Sequence, residues 1–522
     1  MLWSALILNG LYSLVGAKVA SLKAGKDINM NHPIPPEYQS VIDKIKPIAQ
    51  QHGYKVYAVG GFVRDLVSGS APKDLDMLVD GPGYNPAVEF ADILEAAGVG
   101  KHVATFDKNP SRLDTMAMRF GVAKMLIEGQ HIELVMPRGE HYSSESRKPE
   151  VFKATVKEDA LRRDFTVNTL MLDIGTGEIL DPTGRGLEDL KNNVLRSANP
   201  DVDRVFSDDP LRMLRAVRFM VTKNMDLDPE IEEGIKRNAP RLQIISGERI
   251  TEELKRMLTV AESPSRAMRK LKDLGLLHYF MPELEDTGNT MEGGPPYHRD
   301  ESTFDHIMRT LDSMPPDLTG RLAALLHDIA KPHTRSEEFK EGVEKAVVHF
   351  LQHEDVGADM AKHILQRLRF PQEEIDNIAK IVEHHMVPHT YNKDWRDKSL
   401  RRFLVDMGQL IHYIFQLAEA DRRGSGIENS EADVRLQEFK QRLEGMKDQP
   451  IPVKPVINGL ELMTAFNSGA GPWIKEIHTA LVDFQMEKPD LTKEEAWNFV
   501  KEYVRIKRPD LAEKLGRGLT KS

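Results

Sequence analysis

The feature that most constrains this chain is a short apolar run ending in a glycine pair, followed within about twenty residues by two aspartates two positions apart. Tyr57-Ala58-Val59-Gly60-Gly61-Phe62-Val63-Arg64-Asp65-Leu66 reads as a strand that breaks at the glycines and restarts as a helix. In that geometry backbone amides can close on phosphate oxygens. In Lys73-Asp74-Leu75-Asp76-Met77-Leu78-Val79 the alternation is strand-like, and a period of two sends both Asp74 and Asp76 to one side. Two carboxylates beside a phosphate cradle suit Mg²⁺, which takes its oxygens from carboxylates, waters and substrate phosphates. A lone Asp-x-Asp more often marks a solvated turn. Here the glycine pair, Arg64-Asp65 and the aspartates arrive in order, and the order carries the weight.

At 522 residues the chain is too long for one core and predicts three or four units. A hydrophobic content of 40% with 29% charged residues is that of a soluble globular protein. The absence of cysteine excludes disulfides and thiolate metal sites and agrees with a cytoplasmic setting. A formal net charge of -10 argues against a generally basic coat for nucleic acid and leaves only local patches for that purpose. The apolar stretch 2–19 is interrupted by Asn9 and Lys18 and is short for a membrane span; it reads as a peripheral helix or an extension. No membrane association is expected.

The order of glycine pair, Arg-Asp and Asp-x-Asp resembles the head of the nucleotidyltransferase superfamily, and within it the class II tRNA nucleotidyltransferase and bacterial poly(A) polymerase family. That resemblance implies an α/β (α+β) head with a small mixed sheet, Asp74 and Asp76 as Mg²⁺ ligands, and Gly60, Gly61 and Arg64 at the nucleotide. Glu133, in the strand-like His131-Ile132-Glu133-Leu134-Val135, reads by alternation as a solvent-facing residue; the resemblance makes it the candidate third acid. Residues 139–153, with Arg147-Lys148-Pro149, read as a mobile basic loop.

Further motifs follow in family order. Arg162-Arg163-Asp164-Phe165-Thr166-Val167-Asn168 resembles the second motif, implying that Arg162 or Arg163, with Asn168, approaches the triphosphate and Asp164 the ribose. Asp181-Pro182-Thr183-Gly184-Arg185-Gly186 matches a hinge-like turn. Asp208-Asp209-Pro210-Leu211-Arg212 begins a helix on which Asp209, Arg212, Arg215 and Arg218 are expected to share one face. Asp209 would accept from an exocyclic amine and Arg212 donate to ring nitrogens or a carbonyl, which admits cytosine and adenine and rejects uracil and guanine. Arg215 and Arg218 are expected at the triphosphate. Residues 247–258 resemble the family's last short motif, and by their spacing are assigned to scaffolding.

A second constellation comes later: His306, His327-Asp328, His353, His384-His385 and Asp421. Imidazoles and carboxylates from several helices can converge on one or two divalent ions. Their order resembles the HD phosphohydrolase domain, which implies His306, His327, Asp328 and Asp421, with His353 and His384, as ligands to a divalent metal such as Mn, Ni or Mg. The expected organisation is an extension at 1–35, a head at 36–185, a largely α-helical neck and body at 186–290, an all-α HD domain at 291–430 and a helical tail at 431–522. The function implied is addition of C and A to tRNA 3′ ends from CTP and ATP, with tRNA as partner. The alternatives are poly(A), CC-only or A-only addition, or an HD phosphohydrolase with a nucleotide-binding head.

Overall fold

A computed structural model describes residues 33–103, 121–141, 150–292, 301–338, 347–426, 430–447 and 454–518. The extension 2–19, the strand expected at 116–120 and Arg147-Lys148-Pro149 lie outside these residues. The chain divides into two compact units, Met1–Met257 with Arg266–Phe280, and Leu258–Ser265 with Met281–Ser522.

In the first unit, helix α1 (Pro36–His52) leads into β1 (Lys55–Val59), α2 (Gly61–Ser68) and β2 (Asp76–Asp80). Then come α3 (Pro86–Ala96), β3 (Lys101–His102), β4 (Val122–Ile127) and β5 (Gln130–Val135). A hairpin of β6 (Arg138–His141) and β7 (Glu150–Lys153) precedes α4 (Val156–Leu161), β8 (Met171–Asp173) and β9 (Ile179–Leu180). The flanks of the expected basic loop are therefore paired strands. Seven strands form one sheet in the order β3-β4-β5-β2-β1-β8-β9, mixed because β2 and β5 are parallel and the other pairs antiparallel.

Alternation decides what each face of the sheet meets. Val56, Ala58, Met77, Val79, Ile132 and Leu134 pack with Val41 and Ile45 of α1 and Phe90 and Leu94 of α3. Tyr57, Val59 and Leu78 face the other way, against Ala160 of α4. Asp76 shares the parity of Leu78, and so emerges on the side that α4 occupies. A capping box between Thr155 and Glu158 fixes where α4 begins.

Past the sheet the unit is largely helical, with α5 (Val202–Asp208), α6 (Leu211–Thr222) and α7 (Gly247–Val260). The second unit is almost entirely helical among the described residues: α8 (Thr303–Asp312), α9 (Leu318–Leu326), α10 (His353–Arg367), α11 (Gln372–His384), α12 (Val387–Thr390) and α13 (Ile411–Ser425). Ala323, Ala324, Ile381, Ile414 and Leu417 form part of its core. A separate cluster of Ile457, Leu462, Trp473, Ile477, Leu481 and Val500 holds the C-terminal helices together. No helix among the described residues is long and apolar enough to cross a membrane.

Candidate active site and metal centre

Strand register assembles the first site. Asp76 stands opposite Val59 on β1 and opposite Glu133 on β5, so the glycine pair that follows Val59 and both carboxylates meet at one end of the sheet. Gly60 has φ +67° and ψ −130°, a backbone conformation open to glycine and costly for residues with a Cβ. Burial of its surroundings raises the Asp76 carboxyl above the usual carboxylate range, and the negative charges of Glu133 and Asp74 raise it further; Arg163 and Lys124 oppose them. Lys124, opposite Glu133, lies 3.5 Å from its carboxylate. Neighbouring carboxylates whose repulsion is incompletely offset are oxygen donors of the kind a divalent cation takes, though less tightly gathered than the imidazoles and carboxylate of the second unit.

Beside this end of the sheet lies a cleft of about 500 Å³ lined by Gly60, Gly61, Asn168, Leu211, Phe219, seven arginines and two aspartates. The arginines are 64, 163, 212, 215, 218, 249 and 256. Buried carboxylates keep this density of positive charge in place. Asp159, fully buried, accepts from Arg163 at 2.9 and 3.1 Å and from Arg162 at 2.6 and 3.0 Å. Arg64 donates to Asn168 Oδ1 at 2.7 Å, Asn168 to Asp164 Oδ1 at 2.9 Å, and Arg215 to Asp164 Oδ2 at 2.5 and 2.8 Å. Burial alone would raise Asp164, but the charge of Arg215 and the Asn168 and Phe165 hydrogen bonds bring it down to about 2. Arg218 is paired with buried Glu253 of α7. The Phe219 ring lies 4.5, 5.1 and 5.8 Å from the guanidinium carbons of Arg218, Arg64 and Arg215, attracting three like charges to one spot.

Asp209 is not on the helical row with Arg212. Its backbone is extended, Pro210 caps α6, and the helix proper starts at Leu211. Its Oδ1 accepts from the Leu211 amide at 3.3 Å and its Oδ2 from Arg249 Nη2 at 2.9 Å. Arg212 donates to two backbone carbonyls, Arg162 at 2.8 Å and Val205 at 3.2 Å. These partners are neutral, so no ion pair offsets the charge that Arg212 brings to the cleft wall.

In the second unit the buried imidazoles of His306 and His327 lie with Asp328, while His353 and His385 lie with the same aspartate, each group within 4.8 Å. Asp328 Oδ2 is 3.0 Å from His327 Nε2 and its Oδ1 3.3 Å from His353 Nε2. Asp421 Oδ1 is 2.9 Å from His306 Nε2, and its Oδ2 3.0 Å from His389 Nε2. Burial would raise both carboxyls; His327 and Lys331 at Asp328, and His306 and His389 at Asp421, hold them well below the usual range. Burial, reinforced by the charge of His327, pushes His385 down to about 3, so its imidazole is neutral and competent as a ligand. Lys331 bridges Asp328 Oδ2 at 2.8 Å and Glu292 Oε2 at 2.6 Å.

Comparison with known proteins finds three domain families in the same order: a poly A polymerase head domain over residues 56–196, a probable RNA and SrmB-binding site of polymerase A over 224–287, and an HD domain over 306–423. The A-adding tRNA nucleotidyltransferase of Deinococcus radiodurans is 32% identical over 67% of this chain and 80% of its own. The CC-adding enzyme of Thermus thermophilus is 30% identical over 85% of this chain and 92% of its own. The chain belongs to the tRNA nucleotidyltransferase and poly(A) polymerase family. The fold of this family member is also that of the Bacillus stearothermophilus CCA-adding enzyme in complex with CTP, at TM-score 0.60 and 22% identity, covering 91% of this chain and 100% of that one. Nucleotidyltransferase and HD domains alike imply the use of divalent metal ions.

Of the residues singled out in sequence, Gly60, Gly61, Arg64, Arg163, Asp164, Asn168, Asp209, Arg212, Arg215 and Arg218 line the one cleft. Arg162 does not: both arginines bond Asp159, but Arg162 also donates to the Arg138 carbonyl at 2.8 Å, at the start of the β6–β7 hairpin. Asp74 precedes the strand rather than standing in it, since β2 begins at Asp76. Arg215 and Arg218 meet carboxylates, and Asp164 is held by Arg215 and Asn168. His384 is outside the metal cluster, with Nδ1 at the Lys380 carbonyl, 3.0 Å, and its ring near Phe403. Its neighbour His385, at the helix end, takes the place expected of it. Sequence reasoning missed Arg249 and Arg256, which enter the cleft from the helix assigned to scaffolding. Their seven-residue spacing, two helical turns, was the available signal.

Proposed function

We propose that this family member adds C and A to the 3′ ends of tRNA from CTP and ATP, releasing pyrophosphate. The observation that carries this reading is the meeting, at one sheet end, of Asp76 and Glu133 with a cleft of seven arginines, of which Arg212 has only backbone carbonyl partners among the described residues. The division into head, neck and body, HD domain and tail at 36–185, 186–290, 291–430 and 431–522 is part of the proposal.

In the reaction, the primer 3′-oxygen forms a bond to the α-phosphorus of the nucleotide as the bond to pyrophosphate breaks, and the proton of the hydroxyl leaves. Asp74 and Asp76, with Glu133 beside them, would hold Mg²⁺; bound there, the ion supplies positive charge that eases hydroxyl deprotonation and neutralises the departing pyrophosphate. The protein's own work is binding and orientation. The amides after Gly60, with Arg64, Arg163, Arg215 and Arg218, present donors to the triphosphate, and the ion-paired carboxylates behind them keep those donors from moving. Asp209 and Arg212 present an acceptor and donors to the base edge, and a base with the reverse pattern leaves them unpaired.

In the HD domain His306, His327, Asp328, His353, His385 and Asp421 fit divalent ions, Asp328 being common to both groups. A metal there would activate water toward a phosphoester. We propose that this second centre is a phosphohydrolase.

The deciding experiment incubates the full chain with tRNA trimmed of its terminus and with CTP, ATP or both, and reads product length. Two additions with CTP, and a third only when ATP is also present, are expected. Growth stopping after CC or requiring a CC end identifies a partial enzyme, the kind represented by the Thermus and Deinococcus relatives. Long adenosine tails identify a poly(A) polymerase, and no incorporation sinks the proposal.

A further inference from the structure

The last short motif of the cleft has a task that its sequence does not disclose. Helix α7 is seated by Ile250, Leu254 and Met257, all buried, and is tied to α6 through Glu253 and Arg218. One turn before Glu253, on the same face, stands Arg249, half exposed, whose Nη2 is 2.9 Å from Asp209 Oδ2. The other oxygen of Asp209 receives the Leu211 amide at 3.3 Å. A carboxylate offers about four acceptor positions. Two are taken, one on each oxygen, and the remaining pair is left for the cleft that Asp209 lines.

We propose that Arg249 is a positioning residue for base selection: it fixes the plane of the Asp209 carboxylate so that its free acceptor positions meet the exocyclic amine of cytosine or adenine. This inference rests on the function proposed above and deepens it. The Leu211 amide holds one oxygen of Asp209, and about that single bond the carboxylate plane can still turn. Unfixed, it can turn away from the carbonyl of uracil or guanine and lose its power to reject them. Specificity of this kind comes as much from repulsion of the wrong base as from attraction of the right one. Arg256, seven residues along the same helix and also in the cleft, is a built-in contrast: it brings the same charge to the cleft, while the Asp209 carboxylate is bonded to Arg249 and the Leu211 amide.

The test uses the full chain and a trimmed tRNA, with kcat and KM measured for CTP and UTP. Arg249→Ala is expected to reduce the preference for CTP over UTP in kcat/KM roughly ten-fold, the scale of one lost charge-assisted hydrogen bond. Arg256→Ala is expected to weaken both nucleotides alike and leave the ratio unchanged. Arg249→Lys, which restores a point charge without the planar fork, should recover part of the selectivity. Thermal midpoints close to that of the parent chain confirm folding, and if Arg249→Ala fails to fold, Arg249→Lys carries the measurement through its intermediate ratio. An unchanged ratio in an active Arg249 variant overturns the proposal, as does a lower KM for CTP, which would make Arg249 a competitor for Asp209. Absence of incorporation by the parent chain overturns the parent reading and this inference together.

Discussion

Asp76 and Asp164 are both carboxylates of the first unit, and their environments drive them in opposite directions. Asp76 is raised by burial and by Glu133 and Asp74, so above its folded pKa its charge works against the fold. Asp76→Asn is therefore expected to leave the thermal midpoint at neutral pH, without added metal, equal to or above that of the parent. Nucleotide incorporation should fall by roughly a thousand-fold or more, the several kcal/mol that metal charge supplies; a lower midpoint with preserved incorporation would contradict both roles. Asp164 is depressed to about 2, so its contribution to stability is complete above the unfolded value near 4 and is lost as pH falls through about 2. Unfolding measured between pH 4 and pH 2 should cost the parent on the order of 2 kcal/mol that Asp164→Asn does not lose. Identical slopes in the two proteins would show that Arg215 does not hold this carboxylate in solution.

At the scale of elements, helix ends decide which side chains reach a site. Arg162 and Arg163 are adjacent in sequence, yet only Arg163 lines the cleft, and His384 and His385 divide in the same way. About 100° of turn separates consecutive helical residues, and a motif match names the pair without resolving its phase. His385→Ala should lower the bound divalent metal per chain, read by elemental analysis after equilibration with Mn²⁺, whereas His384→Ala should leave it unchanged. The reverse result would return His384 to the site. The strand elements were more legible, because a period of two and a single apolar face leave few registers open: β1, β5 and the apolar part of β2 stand where alternation put them. Asp74 fell outside its strand because alternation marks a face and not where hydrogen bonding begins.

At the scale of the whole molecule, the two sites belong to different compact units. Replacing His327 and Asp328 together by alanine is expected to remove the phosphoester hydrolysis proposed for the second centre and leave nucleotide addition to trimmed tRNA within about two-fold, since additivity holds for sites without shared partners. Loss of addition in that variant, with the thermal midpoint intact, would show that the two centres are coupled. The net charge of -10 belongs to the chain as a whole and not to the cleft, where arginines outnumber aspartates seven to two. The tRNA binding proposed above must then draw on regional charge, and tRNA affinity is expected to fall steeply between 50 and 200 mM salt, roughly as the number of phosphates contacted. A flat salt profile would argue that the arginine-rich cleft plays no part in binding.

By itself the sequence determined the family, the mixed sheet with its glycine pair and acids, the helical remainder, and ten of the residues that line the cleft. These are written in local periods and in ordered motifs, which a linear string preserves. Only the tertiary structure decided which partner each charge would meet: Arg215 on Asp164, Arg218 on Glu253, Arg249 on Asp209 and His385 beside Asp328. Such pairings join residues tens of positions apart, and their strength depends on burial and on a few ångströms of distance. Neither quantity exists until the chain has packed.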